Sequence, residues 1–206
     1  MDEVRPLIIG AGADYAPAKG VFSSGGVIAY PTETFYGLCV DPFNADAVER
    51  LYRLKGRPSA SPIPLIIGEM PMLGLIAAEV PPQAVKLIER FWPGPLTIVL
   101  KAASSLPSAI TAGTGTIAVR LSGSTWARKL SCELASPITS TSANPSGQKP
   151  PVTAEETARY FKDSIGLLID GGVLKGTKGS TIVDASGSEL KVIREGEIPS
   201  SGIFTS

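Results

Sequence analysis

The 206-residue chain contains no histidine, and its cysteines are Cys39 and Cys132. The absence of histidine excludes a Ser-His-Asp or Cys-His catalytic apparatus and removes the commonest transition-metal ligand. Two isolated cysteines do not supply the ligands of a structural zinc site, and we expect both to remain reduced thiols. If the protein is an enzyme, its catalysis must rest on positioning and on fixed positive charge, which suits phosphoryl or nucleotidyl transfer.

The sequence also lacks an excess of charge and any long apolar segment. Nineteen basic and nineteen acidic residues balance, so contact with a nucleic acid would require a local basic patch. No stretch approaches the roughly 18 apolar residues of a membrane span, and the first residues lead into no apolar run typical of a signal peptide. We therefore expect a cytoplasmic protein without a membrane partner.

Hydrophobic periodicity and turn signals predict a chain in which helices and short strands follow one another. Helices are predicted at 14–24, 44–55, 81–92, 124–134 and 153–161, and strands at 25–29, 65–67, 96–100, 116–120, 137–144, 167–170, 180–184 and 190–194. The Gly-rich segment 171–179 is predicted to be a mobile loop. Because no repeat, low-complexity tract or linker interrupts the sequence, we predict one domain over 1–206, with its motifs within about 15–200 and no additional C-terminal domain.

The densest polar cluster is Tyr30-Pro-Thr-Glu-Thr-Phe-Tyr-Gly37, directly after a predicted buried strand. It presents hydroxyls, a carboxylate and aromatic rings within a few residues. Ligands of open α/β sheets bind beyond the carboxyl ends of the strands, which favours a ligand site here. A turn that begins at Pro31 and is capped by ordinary hydroxyls explains the same residues.

Cations are concentrated near the end of the helix predicted at 44–55. Arg50 and Arg53 lie in its last turns, where positive charge complements the helix dipole. Gly56 should end the helix, so Lys55 and Arg57 should project from a constrained turn, and we expect neither side chain in the core. These two residues are the candidates for holding an anion.

The segment Pro137 to Asn144 runs from a predicted strand into hydroxyls and an amide, and Pro145-Ser-Gly147 follows it. A hydroxyl-rich turn that contains glycine can cradle a phosphate with backbone N–H groups. An Asx turn or a Ser turn is an equally simple interpretation of these residues by themselves.

Taken together, the motifs resemble the YrdC-like family, the threonylcarbamoyl-AMP synthases of tRNA modification. The resemblance covers about 25–196 and rests on segments 30–38, 55–58, 116–120, 142–147 and 180–184, in family order and spacing. It implies an α/β (α+β) fold with a twisted, mixed or parallel open sheet, flanked by helices around a large electropositive cavity. It also implies a reaction in which L-threonine, bicarbonate and ATP give threonylcarbamoyl-AMP and pyrophosphate. Magnesium would accompany ATP, and no zinc, haem or flavin is expected.

The resemblance assigns roles to individual positions. The residues that match the catalytic Lys-x-Arg and Ser-x-Asn signature are Lys55, Arg57, Ser142 and Asn144. Those that match positions holding threonine are Thr34, Arg120, Ser142 and Ser180. Those that match the ATP site are Lys55, Arg57, Ser61, Thr116, Ser140, Asn144, Pro150 and Arg194. Two positions depart from the family, because Ser61 stands where many relatives have lysine or asparagine and Ile66 where some have histidine.

The implied chemistry agrees with the composition. Threonine carbamate would itself attack the α-phosphorus, so the protein would need neither a nucleophile nor a histidine base. Its partners would be ATP, L-threonine and bicarbonate, with tRNA and downstream threonylcarbamoyl-transfer proteins beyond them. Two other functions remain open: that of a YciO-like relative with a different activity, and that of a non-catalytic module that binds double-stranded RNA or tRNA. The balanced charge argues mildly against the latter.

Overall fold

A computed structural model describes residues 6–10, 12, 14–58, 61–176 and 178–204. The helices are α1 (Ala16–Ser23), α2 (Ala45–Lys55), α3 (Leu73–Ile76), α4 (Pro82–Phe91), α5 (Ser108–Thr111), α6 (Thr125–Glu133), α7 (Ala154–Phe161) and α8 (Ser200–Phe204). The strands are β1 (Leu7–Gly10), β2 (Ile28–Pro31), β3 (Tyr36–Cys39), β4 (Leu65–Ile67), β5 (Leu96–Lys101), β6 (Thr116–Leu121), β7 (Ile138–Thr139), β8 (Thr141–Ser142), β9 (Leu167–Asp170), β10 (Thr181–Asp184) and β11 (Lys191–Arg194). Within those ranges, each helix is too short or too polar to cross a membrane.

The strands form two mixed sheets. The five-stranded sheet has the order β1-β9-β2-β3-β8, and the six-stranded sheet has the order β11-β10-β5-β6-β4-β7. Parallel pairs such as β4 with β6 occur beside antiparallel pairs such as β5 with β6. The predicted α/β class is confirmed, but the prediction of one open sheet is wrong.

The segment predicted as a strand at 137–144 explains the second sheet. Its first half, β7, pairs with β4 in the six-stranded sheet, and its second half, β8, pairs with β3 in the five-stranded sheet. Ser140 lies between the halves, and its N–H donates to the carbonyl of Pro64 at 2.7 Å. Hydrophobic alternation does not reveal which strand is the partner, so one strand that changes sheets looks continuous in the sequence.

One apolar cluster joins the two sheets. Leu38 of the five-stranded sheet and Ile98 of the six-stranded sheet belong to it, together with Val48 and Leu51 of α2, and all four are fully buried. Burial of one such side chain stabilises the fold by about 1.5–3 kcal/mol. Because both sheets share this interior, the polar ends of their strands have fixed relative positions.

The ends of α2 were predicted correctly. The side chain of Asn44 accepts a hydrogen bond from the N–H of Ala47 at 3.1 Å, which satisfies one unpaired donor of the first turn. Gly56 ends the helix in the left-handed conformation with φ of 57°, where glycine has no Cβ to clash. The chain therefore leaves α2 through a defined turn, with Lys55 just before Gly56 and Arg57 just after it.

Backbone hydrogen bonds anchor the Gly-rich segment that was predicted to be mobile. The Tyr36 hydroxyl accepts from the N–H of Gly171 and donates to the carbonyl of Gly172. Further along, the N–H of Gly176 donates to the carbonyl of Thr34 at 3.0 Å. The expectation of a mobile loop took no account of these anchors, which are distant in the sequence.

Candidate functional site

The polar cluster at 30–37 is a β-hairpin. β2 pairs with β3 in antiparallel register, and residues 32–35 form the turn between them. The hydroxyl of Thr32 donates to the carbonyl of Phe35 at 2.6 Å and accepts from the N–H of Thr34 at 3.2 Å. The hydroxyl-capped turn is therefore right for Thr32, but it leaves the side chain of Glu33 to be explained.

Glu33 reaches the end of β6 and pairs there with Arg120. Nη1 of Arg120 donates to Oε1 of Glu33 at 2.5 Å, and the Ser122 hydroxyl donates to Oε2 at 2.6 Å. The side chains of Arg120 and Glu33 are 7% and 21% exposed, so this is not a surface ion pair. Glu33 is not among the site residues predicted from the sequence.

Arg120 keeps part of its guanidinium open. Nε and Nη2 have no hydrogen-bond partner among the residues that the structure describes, yet neither is one of the fully buried unpartnered atoms. Both atoms therefore retain access to solvent although the residue as a whole is only 6% exposed. Nε and Nη2 together form one edge that can hold a carboxylate with two parallel hydrogen bonds.

Arg194 lies near this arginine and hydrogen-bonds Ser180. Ser180 Oγ is 2.8 Å from Oγ1 of the buried Thr97, and Nη2 of Arg194 donates to the Ser180 carbonyl at 2.7 Å. The pKa of Arg194 falls below its ordinary value, first because its guanidinium is partly desolvated and then because Arg120 repels its charge. Arg194 therefore links Ser180, predicted for threonine, to the neighbourhood of Arg120.

Tyr30 connects this group to Ser140. Its hydroxyl donates to the carbonyl of Thr139 at 3.1 Å. Complete burial raises the pKa of Tyr30, whereas the charge of Arg120 acts in the opposite direction, and Ser140 directly follows Thr139 in the chain. Ser140 therefore belongs to the same neighbourhood, at the point where the chain crosses between the sheets.

Lys55 is buried, contrary to the expectation that it projects away from the core. It is 4% exposed, and its Nζ donates to the carbonyls of Ser142 and Asn144 at 2.5 and 2.6 Å. Burial, followed by repulsion from Arg57, lowers the pKa of Lys55 to about 8. Arg57 remains half-buried, and its guanidinium donates to the carbonyls of Ser61 and Pro62.

Ser142 and Asn144 differ in what their side chains do. The Ser142 hydroxyl has no hydrogen-bond partner within the described part of the chain and is only partly buried. Nδ2 of Asn144 donates to the carbonyls of Pro145 and Gln148 at 2.9 and 2.7 Å, which braces the turn. Its Oδ1 is buried without a partner. The turn interpretation is therefore right for the amide N–H groups of Asn144, while Ser142 is free to contact a ligand.

Three other predicted residues, Thr116, Thr34 and Pro150, occupy different parts of the fold. Thr116 begins β6, which puts it roughly 13 Å of strand away from Arg120, and its hydroxyl is 3.0 Å from that of Thr114. Thr34 is buried in the hairpin turn, with its hydroxyl 3.3 Å from that of Thr32. Pro150 lines a separate open cavity of about 210 Å³.

Comparison with known proteins identifies relatives of the whole fold. A family model described as Sua5_yciO_yrdC, telomere recombination, matches residues 20–196. The threonylcarbamoyl-AMP synthase of Pyrococcus abyssi (strain GE5 / Orsay) is 38% identical over 182 residues, which cover 88% of this chain and 54% of that protein. The threonylcarbamoyl-AMP synthase of Halorhodospira halophila (strain DSM 244 / SL1) is 42% identical over 154 residues, which cover 75% and 81%.

Solved structures show the same relationship. The crystal structure of P. abyssi Sua5 complexed with L-threonine has a TM-score of 0.89 at 36% identity, and the match covers 96% of this chain and 59% of that one. E. coli YciO has a TM-score of 0.81 at 26% identity, with 96% and 97% covered. The chain spans about half the length of the P. abyssi synthase. Because the family model covers most of the chain and the folds agree throughout, this protein belongs to the Sua5/YciO/YrdC family.

Proposed function

We propose that the protein is a threonylcarbamoyl-AMP synthase. It joins L-threonine, bicarbonate and ATP into threonylcarbamoyl-AMP and pyrophosphate, for the threonylcarbamoyladenosine modification of tRNA. The observation that carries this proposal is the open edge of Arg120, a buried guanidinium with two donors available for a carboxylate. The P. abyssi Sua5 structure, which contains L-threonine, supports an amino acid as the ligand.

In this proposal, one group of residues binds the amino acid and a second group binds ATP. Arg120, with Thr34, Ser142 and Ser180, holds the amino acid. Lys55 and Arg57 hold the phosphates and stabilise the charge that develops during transfer, because fixed donors in a site shielded from water need not reorganise. The other residues proposed for ATP are Ser61, Thr116, Ser140, Asn144, Pro150 and Arg194. Threonine carbamate is the nucleophile, so the absence of histidine does not impede the reaction.

Magnesium belongs with the nucleotide in this proposal. The described residues hold no group of three or more His, Cys, Asp or Glu side chains able to bind an ion by themselves. Magnesium is commonly held by the phosphates of the substrate together with one or two carboxylates, and we place it on the phosphates of ATP. When bound, magnesium would neutralise phosphate charge, while Lys55 and Arg57 supply the protein's own positive charge.

Pyrophosphate release from ATP tests the function. The proposal requires that release depends on both L-threonine and bicarbonate. Release without either substrate, or no release with both present, would overturn it.

The similarity to E. coli YciO over nearly the full length of both chains makes a YciO-like activity the second candidate. Binding of tRNA without turnover would instead indicate an RNA-binding module. We also propose that the protein acts in the cytoplasm with tRNA and transfer proteins as downstream partners.

Replacing Ser142 with alanine should impair synthesis without a stability loss. Its hydroxyl has no partner in the described residues, so its removal leaves no buried group unpaired. Asn144→Ala should impair synthesis too, but it should also lower the free energy of unfolding by about 1–3 kcal/mol because the carbonyls that its amide braces lose their donors. Denaturation and pyrophosphate release measured on each variant separate the two effects. Full activity in folded Ser142→Ala would remove Ser142 from the site.

ATP affinity should fall as the pH rises above about 8. The pKa of Lys55 is lowered to about 8, so its positive charge is present below that pH and is lost above it. If ATP binds only when Lys55 carries its proton, the affinity for ATP falls by up to about tenfold for each pH unit above the pKa. Calorimetry with a non-hydrolysable ATP analogue between pH 7.5 and 9.5 measures this slope. Lys55→Met should bind more weakly but with a flat profile, and the same slope in this variant would contradict the assignment.

A further inference from the structure

Glu33 stands on a backbone that is fixed on both sides. Thr32 closes the hairpin turn through its hydrogen bonds to Phe35 and Thr34. The carbonyl of Thr34 accepts the N–H of Gly176, which ties the turn to the Gly-rich segment. Because the turn is already ordered, holding the Glu33 side chain costs little additional backbone entropy.

Both oxygens of the Glu33 carboxylate are engaged at the same strand end. Oε1 accepts from Arg120 at 2.5 Å, and Oε2 accepts from Ser122 at 2.6 Å. Ser122 is fully buried and lies two residues after Arg120. The carboxylate therefore bridges two nearby points of the chain, and this bridge fixes where the guanidinium of Arg120 can lie.

The bridge leaves the guanidinium edge available. A carboxylate that gripped Arg120 with both oxygens would occupy the edge that an amino acid needs. Here the second oxygen binds Ser122 instead, so a single nitrogen of Arg120 is used. Nε and Nη2 stay unpartnered within the described residues and accessible.

We propose that Glu33 is a positioning residue that orients Arg120, so that the Nε and Nη2 edge meets the carboxylate of the amino acid. This role rests on the proposed synthase function, since it needs an amino acid at Arg120. Glu33 also partly offsets the charge of a buried arginine, which would be costly to leave unpaired. It acts through Arg120 and does not itself touch the reacting atoms.

A competing role for Glu33 predicts the opposite change in affinity for L-threonine when Glu33 is removed. If Glu33 were an internal substitute for the substrate carboxylate, its removal would free Arg120 and tighten binding of L-threonine. If Glu33 positions Arg120, its removal lets the guanidinium move, and binding weakens. The two roles can therefore be separated by the direction of one measured change.

The experiment uses Glu33→Ala, Glu33→Gln and Ser122→Ala, with Glu133→Ala as the control. Glu133, at the end of α6, forms an exposed ion pair with Lys19 of α1. Steady-state pyrophosphate release gives KM for L-threonine and for ATP, and calorimetry gives threonine affinity without turnover. The preference for L-threonine over L-threonine amide reports directly on recognition of the carboxylate.

Glu33→Ala should raise the KM and Kd for L-threonine by roughly 10- to 100-fold, the scale of misplacing a binding group by up to about 1 Å. The KM for ATP should be little changed, and the preference over the amide should shrink. Glu33→Gln keeps an acceptor of the same shape and should fall between wild type and alanine. Ser122→Ala keeps the charge but frees Oε2, so it should show a smaller rise in threonine KM. Glu133→Ala should match the wild type.

Tighter threonine binding by Glu33→Ala would overturn the proposal in favour of competition. Unchanged threonine KM and unchanged preference in folded Glu33→Ala would show a purely structural role. If Glu33→Ala does not fold, wild-type values in both Glu33→Gln and Ser122→Ala would overturn the proposal equally. A wild-type protein that neither binds L-threonine nor releases pyrophosphate would refute the synthase function itself, which is a distinguishable result.

Discussion

Alanine at Lys55 or Arg57 should lower turnover by roughly 100-fold or more, the scale of removing one preorganised electrostatic group from a reaction centre. Lys55 is the last residue of α2 and Arg57 lies in the turn that follows, close enough to Lys55 to lower its pKa. In the proposed reaction both cations stabilise the negative charge on the adenylyl group as it is transferred. Single-turnover pyrophosphate release at saturating ATP and threonine measures the chemical step.

The two variants differ in their expected stability. Lys55→Ala leaves the carbonyls of Ser142 and Asn144 without their donor, and a buried unsatisfied group costs about 1–3 kcal/mol. Arg57 is half-buried and donates to the Pro62 carbonyl five residues later, so Arg57→Ala should lower the free energy of unfolding by less. Rates must be expressed per folded molecule. Arg50→Ala, an exposed cation of α2, is the matched control and should be near wild type. Activity near wild type in either site variant would remove that residue from the reaction centre.

Local signals in the sequence were sufficient where neighbours along the chain determine structure. Asn44 and Gly56 mark the two ends of α2 because capping depends on residues within one turn. Local signals failed where a strand pairs with a segment that is distant in the sequence. The strand at 137–144 divides between two sheets, and β3 was missed because its first two residues, Tyr36 and Gly37, belong to the polar cluster at 30–37. Pairing partners are chosen by the assembled core, which no short window of sequence contains.

The same limit applies to the site. Lys55 was expected to project from its turn, but a crossing segment 87 residues later covers it and supplies two carbonyls. Glu33 was seen as one carboxylate in a polar cluster, and its partner Arg120 is also 87 residues away. Nothing in the sequence around Lys55 or around Glu33 indicates these distant partners. The resemblance assigned Arg120 and Ser180 to threonine and Arg194 to ATP, and in the structure Arg194 hydrogen-bonds Ser180 and lies close enough to Arg120 for their charges to repel.

Arg120→Lys should raise the requirement for L-threonine and leave ATP affinity little changed. Lysine keeps the positive charge and can still pair with Glu33, but it lacks the planar fork that holds a carboxylate with two hydrogen bonds. A hydrogen bond to a charged group contributes about 1.5–3 kcal/mol, so losing one should weaken threonine binding by roughly 10- to 150-fold. Calorimetric titration of the variant with each substrate in turn measures both affinities.

The choice of lysine keeps this result interpretable. Arg120→Ala would leave the Glu33 carboxylate without its cation in a partly buried position, so lost stability would be mixed with lost binding. Arg50→Lys, at an exposed position of α2, is the control for the same chemical change and should bind both substrates normally. Equal weakening of ATP and threonine would mean that Arg120 serves the site as a whole. No weakening of either would mean that its open edge meets no carboxylate, and the amino acid would have to be held elsewhere.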